Sequence, residues 1–97
     1  MPTLPVTRNL GDLAFAGADP GAPWIVEMDG ATATARLTYG DLAAEADAVA
    51  RGLLARGLRR GDRVAILAEN SARFLLAYFG TMRAGLVSVP VNWRLPV

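Results

Sequence analysis

The segment VAILAENSARFLLAYFGTMRAGLVSVPV, residues 64–91, decides the fold of this 97-residue chain. It begins with a continuous apolar run, Val64–Ala68, which is typical of a strand covered on both faces. A second apolar run, Leu86–Val91, follows after a stretch long enough for a right-handed crossover between parallel strands. The segment is therefore predicted to form a β-α-β unit, and the fold class is α/β.

The stretch between these two strands is predicted to be a helix that packs on more than one side. Asn70 or Ser71 caps its first turn, and Gly85 ends it. Apolar side chains occupy most of its circumference: Phe74, Leu75, Leu76, Tyr78, Phe79 and Met82. Because the aromatic residues among them have helical spacing, we interpret them as core and not as a surface that stacks on bases or a cofactor.

Upstream of this unit, another helix is predicted to begin after Thr38. Asp41 stands three residues beyond this threonine, which is the pattern of a capping box. Residues at offsets of four, three and four then form one apolar stripe: Leu42, Ala46, Val49 and Leu53. Gly57 is expected just past the end of this helix, and residues 59–62 are expected to form a turn.

The first part of the chain is predicted to contain short strands. Trp24–Met28 forms one strand, Asp29-Gly30 is a strong turn signal, and Ala33–Leu37 returns antiparallel as a hairpin. Residues 16–23 are predicted to form a loop, and Asn9–Phe15 a short helix. No internal repeat or linker divides the chain, so one compact unit is expected.

Composition excludes several classes of function. The net charge is only +1 and the ten basic residues, all arginine, are spread along the chain, so nucleic acid is not an expected partner. Without cysteine or histidine the chain has no disulfide, no thiolate nucleophile and no imidazole base or zinc ligand. Residues 1–5 lack the pattern of a secretory signal. The uncharged stretch 74–82 is too short to span a bilayer, which needs about 20 residues. We expect a cytoplasmic protein with no membrane span.

Motifs for nucleotide binding are missing from the glycine pattern. Gly52, Gly57 and Gly61 have neither the spacing of a phosphate-binding loop nor its lysine. The β-α-β unit also lacks a Gly-x-Gly-x-x-Gly sequence after its first strand, which disfavours dinucleotide binding. Residues 60–62, Arg-Gly-Asp, match an adhesion tripeptide, but ordinary turn chemistry explains them better.

Most acidic residues are predicted to occupy turns, caps or solvated helical positions, and not a catalytic pair. Glu69 and Asn70 differ because they follow a strand of an open α/β sheet, at the edge where ligands tend to bind. Helix capping by Asn70 is the preferred interpretation of that residue.

Four short motifs occur in order between Leu37 and Leu95. They are LTYGDL at 37–42, GLRRGDRVAI at 57–66, Asn70-Ser71 with Phe74, and AGLVSVPVNWRL at 84–95. In this order and spacing they resemble the N-terminal region of the AMP-binding, or adenylate-forming, superfamily. That superfamily includes acyl-CoA synthetases, luciferases and the adenylation domains of peptide synthetases. Residues 1–36 contribute little to the resemblance.

The resemblance implies a two-step ligase acting in fatty acid metabolism. A carboxylate attacks the α-phosphate of Mg-ATP to give an acyl-adenylate and pyrophosphate, and a thiol, usually coenzyme A, then displaces AMP. ATP, Mg²⁺ and coenzyme A are therefore the expected cofactors of a parent enzyme whose substrate is a carboxylic acid. These 97 residues do not include the motifs that carry the chemistry in the family. Those are a phosphate loop, an adenine motif, a metal-contacting glutamate, a ribose-binding aspartate and a C-terminal lysine. We accordingly expect no catalytic or metal-binding residue here, no tight cofactor binding, and no activity of the chain alone.

One residue is carried over to a ligand by the resemblance. Arg94, in the Asn-x-Arg-Leu motif, corresponds to an arginine that lies near coenzyme A phosphates in some acyl-CoA synthetases. A guanidinium group suits phosphate well, although pairing with a carboxylate or capping a carbonyl is an alternative role.

The resemblance, which is strongest over residues 37–95, also implies that residues 1–97 are an incomplete N-terminal portion of an AMP-binding domain. The expected partner is then the remainder of the parent polypeptide. Two alternatives remain open. In the first, the parent protein is an adenylation domain or a luciferase-like relative of the same superfamily. In the second, the chain is a non-catalytic interaction module that buries an exposed sheet edge against another chain.

Overall fold

A computed structural model describes residues 17–91 of the chain, and the helix predicted at Asn9–Phe15 lies outside this part. The described residues form two small sheets and two helices. In chain order the elements are β1 (Pro23–Asp29), β2 (Thr32–Thr38), α1 (Tyr39–Ala55), β3 (Arg63–Leu67), α2 (Ala72–Arg83) and β4 (Val87–Val91). The predicted α/β class is confirmed.

Strands β1 and β2 form the predicted antiparallel hairpin. Asp29 pairs with Thr32 across the turn, and Gly30 has φ +60°, a left-handed conformation that glycine adopts without steric cost. The hairpin then leads directly into α1, because Thr38 is both the last residue of β2 and the N-cap of the helix.

Helix α1 begins with the predicted capping box. The Thr38 hydroxyl oxygen accepts from the Asp41 backbone N–H at 3.1 Å, and the Asp41 carboxylate accepts from the Thr38 N–H at 2.9 Å. The buried stripe differs slightly from the prediction, since Ala50 is buried whereas Val49 and Leu53 are only half-buried. Successive offsets of four place residues 42, 46 and 50 along the centre of the packed face, and Val49 and Leu53 lie at its sides.

Strands β3 and β4 pair in parallel, from Arg63 opposite Val87 to Leu67 opposite Val91. Helix α2 connects them and ends as predicted at Gly85, which has φ +80°. The β-α-β unit is therefore confirmed.

The cap of α2 is Ser71, one of the two predicted candidates. The preferred interpretation of Asn70 as a helix cap was wrong, because the helix begins at Ala72 and its N-cap is the residue immediately before. Strand β3 is not covered on both faces by the described residues, since Ile66 is 5% exposed whereas Leu67 is 67% exposed. Only one face of the two-stranded sheet packs on α2.

The core lies mainly between the two helices. Leu42, Ala46 and Leu76 are buried together, with Trp24, Tyr39 and Phe79 packed around them. The helices approach closely where Gly80 faces Val49. The approach leaves no room for a side chain at Gly80, since an added Cβ atom would lie 2.6 Å from the Val49 Cβ. An ion pair between Arg83 and Asp47 spans the same helix pair.

Candidate functional site

The best-formed candidate site lies at the carboxyl end of β3, where α2 begins. This edge of an α/β sheet is where ligands commonly bind, and the connection carries the predicted Glu69 and Asn70. Both side chains are exposed. The Glu69 carbonyl oxygen accepts from the Ser71 hydroxyl at 3.2 Å, which shapes the connection before the helix.

Two side chains satisfy backbone N–H groups at the start of α2. The Ser71 hydroxyl accepts from the Phe74 N–H at 3.2 Å, and a Glu27 carboxylate oxygen accepts from the Ala72 N–H at 2.7 Å. Glu27 belongs to β1 and lies 45 residues earlier in the chain. A helix N-terminus attracts anions, and here a carboxylate of the protein itself already occupies that position. A phosphate group would meet like charge at this point.

Beside this capped terminus, a groove of about 310 Å³ lies between β1 and the start of α2. Ile25, Val26, Phe74 and Leu75 supply its apolar wall, and Glu27, Asn70 and Ser71 lie at its polar end. Since Glu27 and Ser71 already accept hydrogen bonds from the helix, the arrangement is structural and holds the hairpin against α2.

Other predicted carboxylates also have structural contacts. The Asp62 carboxylate accepts from the Arg59 N–H at 2.7 Å, and Gly61 beside it has φ +89°. The Arg-Gly-Asp tripeptide at residues 60–62 therefore forms part of a turn, as the sequence predicted. Asp41 belongs to the capping box, and Asp47 pairs with Arg83.

Within residues 17–91 no group of three or more acidic, histidine or cysteine side chains is placed to hold a metal ion. The same part of the chain has no helix that is long and apolar enough to cross a membrane. Arg94, the residue assigned to coenzyme A from the sequence, lies outside the described residues.

Sequence reasoning missed the contact of Glu27. The residue interrupts an otherwise apolar strand, Trp24–Met28, and this interruption is the available signal that it has a specific partner. The partner itself is set by how the hairpin packs on α2, which no local pattern encodes.

Comparison with known proteins decides the family. The sequence model of the family described as AMP-binding enzyme matches residues 14–97. This chain belongs to the AMP-binding enzyme family. The resemblance predicted from the four motifs is therefore confirmed.

Members of the AMP-binding family that resemble this chain include ligases with different acceptors. The long-chain fatty acid–CoA ligase FadD13 of Mycobacterium tuberculosis is 43% identical over 60 residues, which are 62% of this chain and 12% of FadD13. The fatty acid–acyl-carrier-protein ligase ScoC of Streptomyces coeruleorubidus is 48% identical over 59 residues, which are 61% of this chain and 11% of ScoC. This chain thus spans about a tenth of the length of these curated relatives.

The fold agrees with a solved AMP-binding relative over nearly the whole chain. The crystal structure of apo MatB from Rhodopseudomonas palustris superposes with a TM-score of 0.78 at 36% identity, covering 94% of this chain and 18% of MatB. MatB has also been crystallised with ATP bound. The hairpin, the capped helix and the β-α-β unit are thus the fold of the N-terminal region of adenylate-forming enzymes.

Proposed function

We propose that this chain is part of the large N-terminal domain of an ATP-dependent acid–thiol ligase, which forms an acyl-adenylate and then an acyl-CoA thioester. The observation that carries the proposal is the family match over residues 14–97. The 36% identity to MatB at a TM-score of 0.78 supports it, because both sequence and fold agree over most of the chain.

Within that enzyme, the described residues serve as scaffold. Their polar groups at the candidate site are engaged in capping and turns, as Glu27, Ser71 and Asp62 illustrate. No acidic cluster for Mg²⁺ occurs in residues 17–91. We therefore place ATP, Mg²⁺ and the catalytic groups on the remainder of the parent polypeptide, and residues 1–97 are an incomplete portion of the AMP-binding domain.

Coenzyme A is the acceptor that we propose. FadD13, which shares 43% identity with this chain, is by name a CoA ligase. The motif that contains Arg94 resembles that of acyl-CoA synthetases, which also favours coenzyme A. ScoC, at 48% identity, is by name a carrier-protein ligase, so transfer to an acyl carrier protein is the second candidate. Arg94 is proposed to contact a coenzyme A phosphate through its guanidinium group. The cytoplasmic location expected from the sequence stays a prediction.

A hybrid protein tests this function. The 97-residue chain replaces the matching segment of MatB, and ATP–pyrophosphate exchange is measured with a panel of aliphatic, aromatic and dicarboxylic acids. We expect exchange with at least one acid in the hybrid and none with the 97-residue chain alone. A folded hybrid that binds ATP but activates no acid contradicts the proposal, and exchange by the chain alone contradicts the scaffold role. Adding coenzyme A or an acyl carrier protein then identifies the acceptor.

A further inference from the structure

Half of the arginines lie close together, where α1 ends and β3 begins. Residues 51–63, which we call the basic segment, contain five of the ten arginines and only one of the nine acidic residues. The rest of the chain has five arginines and eight acidic residues, so the basic segment has a net charge of +4 and the remainder −3. A nearly neutral chain therefore has one strongly basic region: Arg51, Arg56, Arg59, Arg60 and Arg63.

The fold holds the centre of the basic segment in a fixed turn at the surface. The Asp62 carboxylate accepts from the Arg59 N–H at 2.7 Å, and the Asp62 N–H donates to the Arg59 carbonyl oxygen at 2.9 Å. The Gly61 N–H donates to the Gly85 carbonyl oxygen at 2.9 Å and so ties the turn to the chain just before β4. All five arginines of the segment are exposed, whereas its single carboxylate is engaged in closing the turn.

The guanidinium groups of the basic segment have few partners within the protein. Arg56 donates to the Gly52 carbonyl oxygen at 3.4 Å, which is longer than a typical hydrogen bond. Within residues 17–91, the guanidinium groups of Arg59 and Arg60 have no hydrogen bond or ion pair. Arg83, which lies outside the segment, differs because it forms an ion pair between the two helices. The charge of the basic segment is therefore available to a partner of opposite charge.

The side chains of the basic segment indicate the kind of partner. The segment has no aromatic residue and no asparagine or glutamine, so it lacks the groups that stack on bases or read adenine in nucleic acids. It also lacks the aromatic anchors that are enriched at the centres of protein–protein interfaces. Its arginines are instead accompanied by an aliphatic side chain, since Leu54 is 47% exposed and lies beside Arg51 on α1. This combination suits a bilayer, whose surface is anionic and whose interior is apolar.

An anionic bilayer attracts such a segment by charge. Each arginine close to an anionic membrane surface strengthens binding by about fivefold, provided that it lies within the Debye length of about 10 Å at 0.1 M salt. We propose that the basic segment docks on the surface of an anionic phospholipid bilayer, with the turn of Arg59 and Arg60 against the headgroup phosphates. A guanidinium group suits this contact because it donates two parallel hydrogen bonds to one phosphate. The inference goes beyond the proposed ligase function and does not rest on it.

Vesicle sedimentation tests the docking with two double variants of the 97-residue chain. Arg59→Gln with Arg60→Gln removes two charges from the basic segment, whereas Arg36→Gln with Arg73→Gln removes two exposed charges from β2 and α2. The two variants therefore have the same net charge. Binding is measured to vesicles of equal parts phosphatidylcholine and phosphatidylglycerol at about 0.1 M salt. The first variant is expected to lose about 25-fold in partition coefficient, and the matched control no more than about twofold.

Two further measurements separate electrostatic docking from other kinds of binding. Arg59→Lys with Arg60→Lys keeps both charges and is expected to bind within about threefold of the unsubstituted chain. At about 1 M salt, where the Debye length is about 3 Å, binding of the unsubstituted chain is expected to fall to its level on phosphatidylcholine alone. Circular dichroism of every variant checks that the fold is kept, as expected for substitutions of exposed side chains.

The inference is overturned by any of several results. Equal binding of the unsubstituted chain to anionic and neutral vesicles would indicate adsorption through apolar side chains. Equal loss in the two glutamine variants would show that net charge, and not the basic segment, governs binding. Tighter binding to duplex DNA or to polyglutamate than to the anionic vesicles at the same salt, lost on substitution of Arg59 and Arg60, would make a nucleic acid or an acidic protein the partner.

Discussion

A carboxylate oxygen of Glu27 accepts a 2.7 Å hydrogen bond from the backbone N–H of Ala72 and so ties the first hairpin to the start of α2. It supplements the local cap, in which the Ser71 hydroxyl accepts from the Phe74 N–H. One helix end is thus satisfied by a neighbour in sequence and by a residue from another sheet. This contact couples the hairpin to the β-α-β unit.

Loss of the Glu27 carboxylate should destabilise the whole chain. We expect Glu27→Ala to cost about 1–2 kcal/mol, because it leaves the Ala72 N–H without its charged acceptor. Glu27→Gln should cost about half as much, since an acceptor oxygen remains. Urea unfolding followed by circular dichroism measures both. Equal stability of Glu27→Ala and the unsubstituted chain would show that the hairpin is not held by this contact.

The two helices contain glycines for different reasons, and the same substitution should have opposite effects on them. Gly80→Ala should destabilise by about 1–3 kcal/mol, because the added Cβ would lie 2.6 Å from the Val49 Cβ and force the helices apart. Gly52→Ala should stabilise by about 0.5–1 kcal/mol, because its nearest neighbour is the end of the Arg56 side chain at 3.6 Å.

Combining Gly80→Ala with Val49→Ala sharpens this prediction. The added Cβ would lie 2.6 Å from the Val49 Cβ, which alanine keeps, and 2.7 Å from the Val49 Cγ1, which alanine removes, so the double variant should recover only part of the lost stability. Full recovery would mean that the valine methyl groups, and not the approach of the backbones, set the helix spacing. Thermal unfolding of Gly80→Ala, Gly52→Ala, Val49→Ala and the double variant provides the measurement.

The capping box of α1 offers a test of local stability. Thr38→Ala removes the oxygen that accepts from the Asp41 N–H and should cost about 1 kcal/mol. Thr38→Ser keeps that oxygen and serves as the matched control. Equal urea midpoints for the two variants would contradict a capping role for the hydroxyl.

Arg94 provides a prediction about the proposed acceptor. In the hybrid with MatB, Arg94→Ala should raise the KM for coenzyme A by about 10-fold, as expected for the loss of a charge-assisted contact to phosphate. The KM for ATP should stay the same, and Arg94→Lys should recover part of the effect because it keeps the charge. An unchanged KM for coenzyme A removes Arg94 from the site.

Local patterns predicted most of the described fold. The Thr38 and Asp41 pair located the start of α1, the Asp29-Gly30 turn located the hairpin, and Gly85 marked the end of α2. Each of these signals acts over a few residues, through a hydrogen bond or a left-handed backbone conformation, so the sequence displays it directly.

Features that depend on packing were not predictable in this way. The sequence did not distinguish Asn70 from Ser71 as the cap of α2, because the choice depends on where the helix begins relative to the sheet. The contact of Glu27 with Ala72 joins residues 45 positions apart, and the exposure of Leu67 depends on what else covers the sheet. The family itself was predictable, because its motifs are local strings in a fixed order.

The central claim that we propose is that this chain is scaffold for an adenylate-forming ligase, and that the groups that activate the acid belong to the remainder of the parent polypeptide. ATP–pyrophosphate exchange, measured side by side on the 97-residue chain and on its hybrid with MatB, tests the claim most directly. Exchange with a carboxylic acid in the hybrid, and none above background with the chain alone, is the expected result. Robust exchange by the chain alone, or a folded and ATP-binding hybrid without exchange, would contradict the claim.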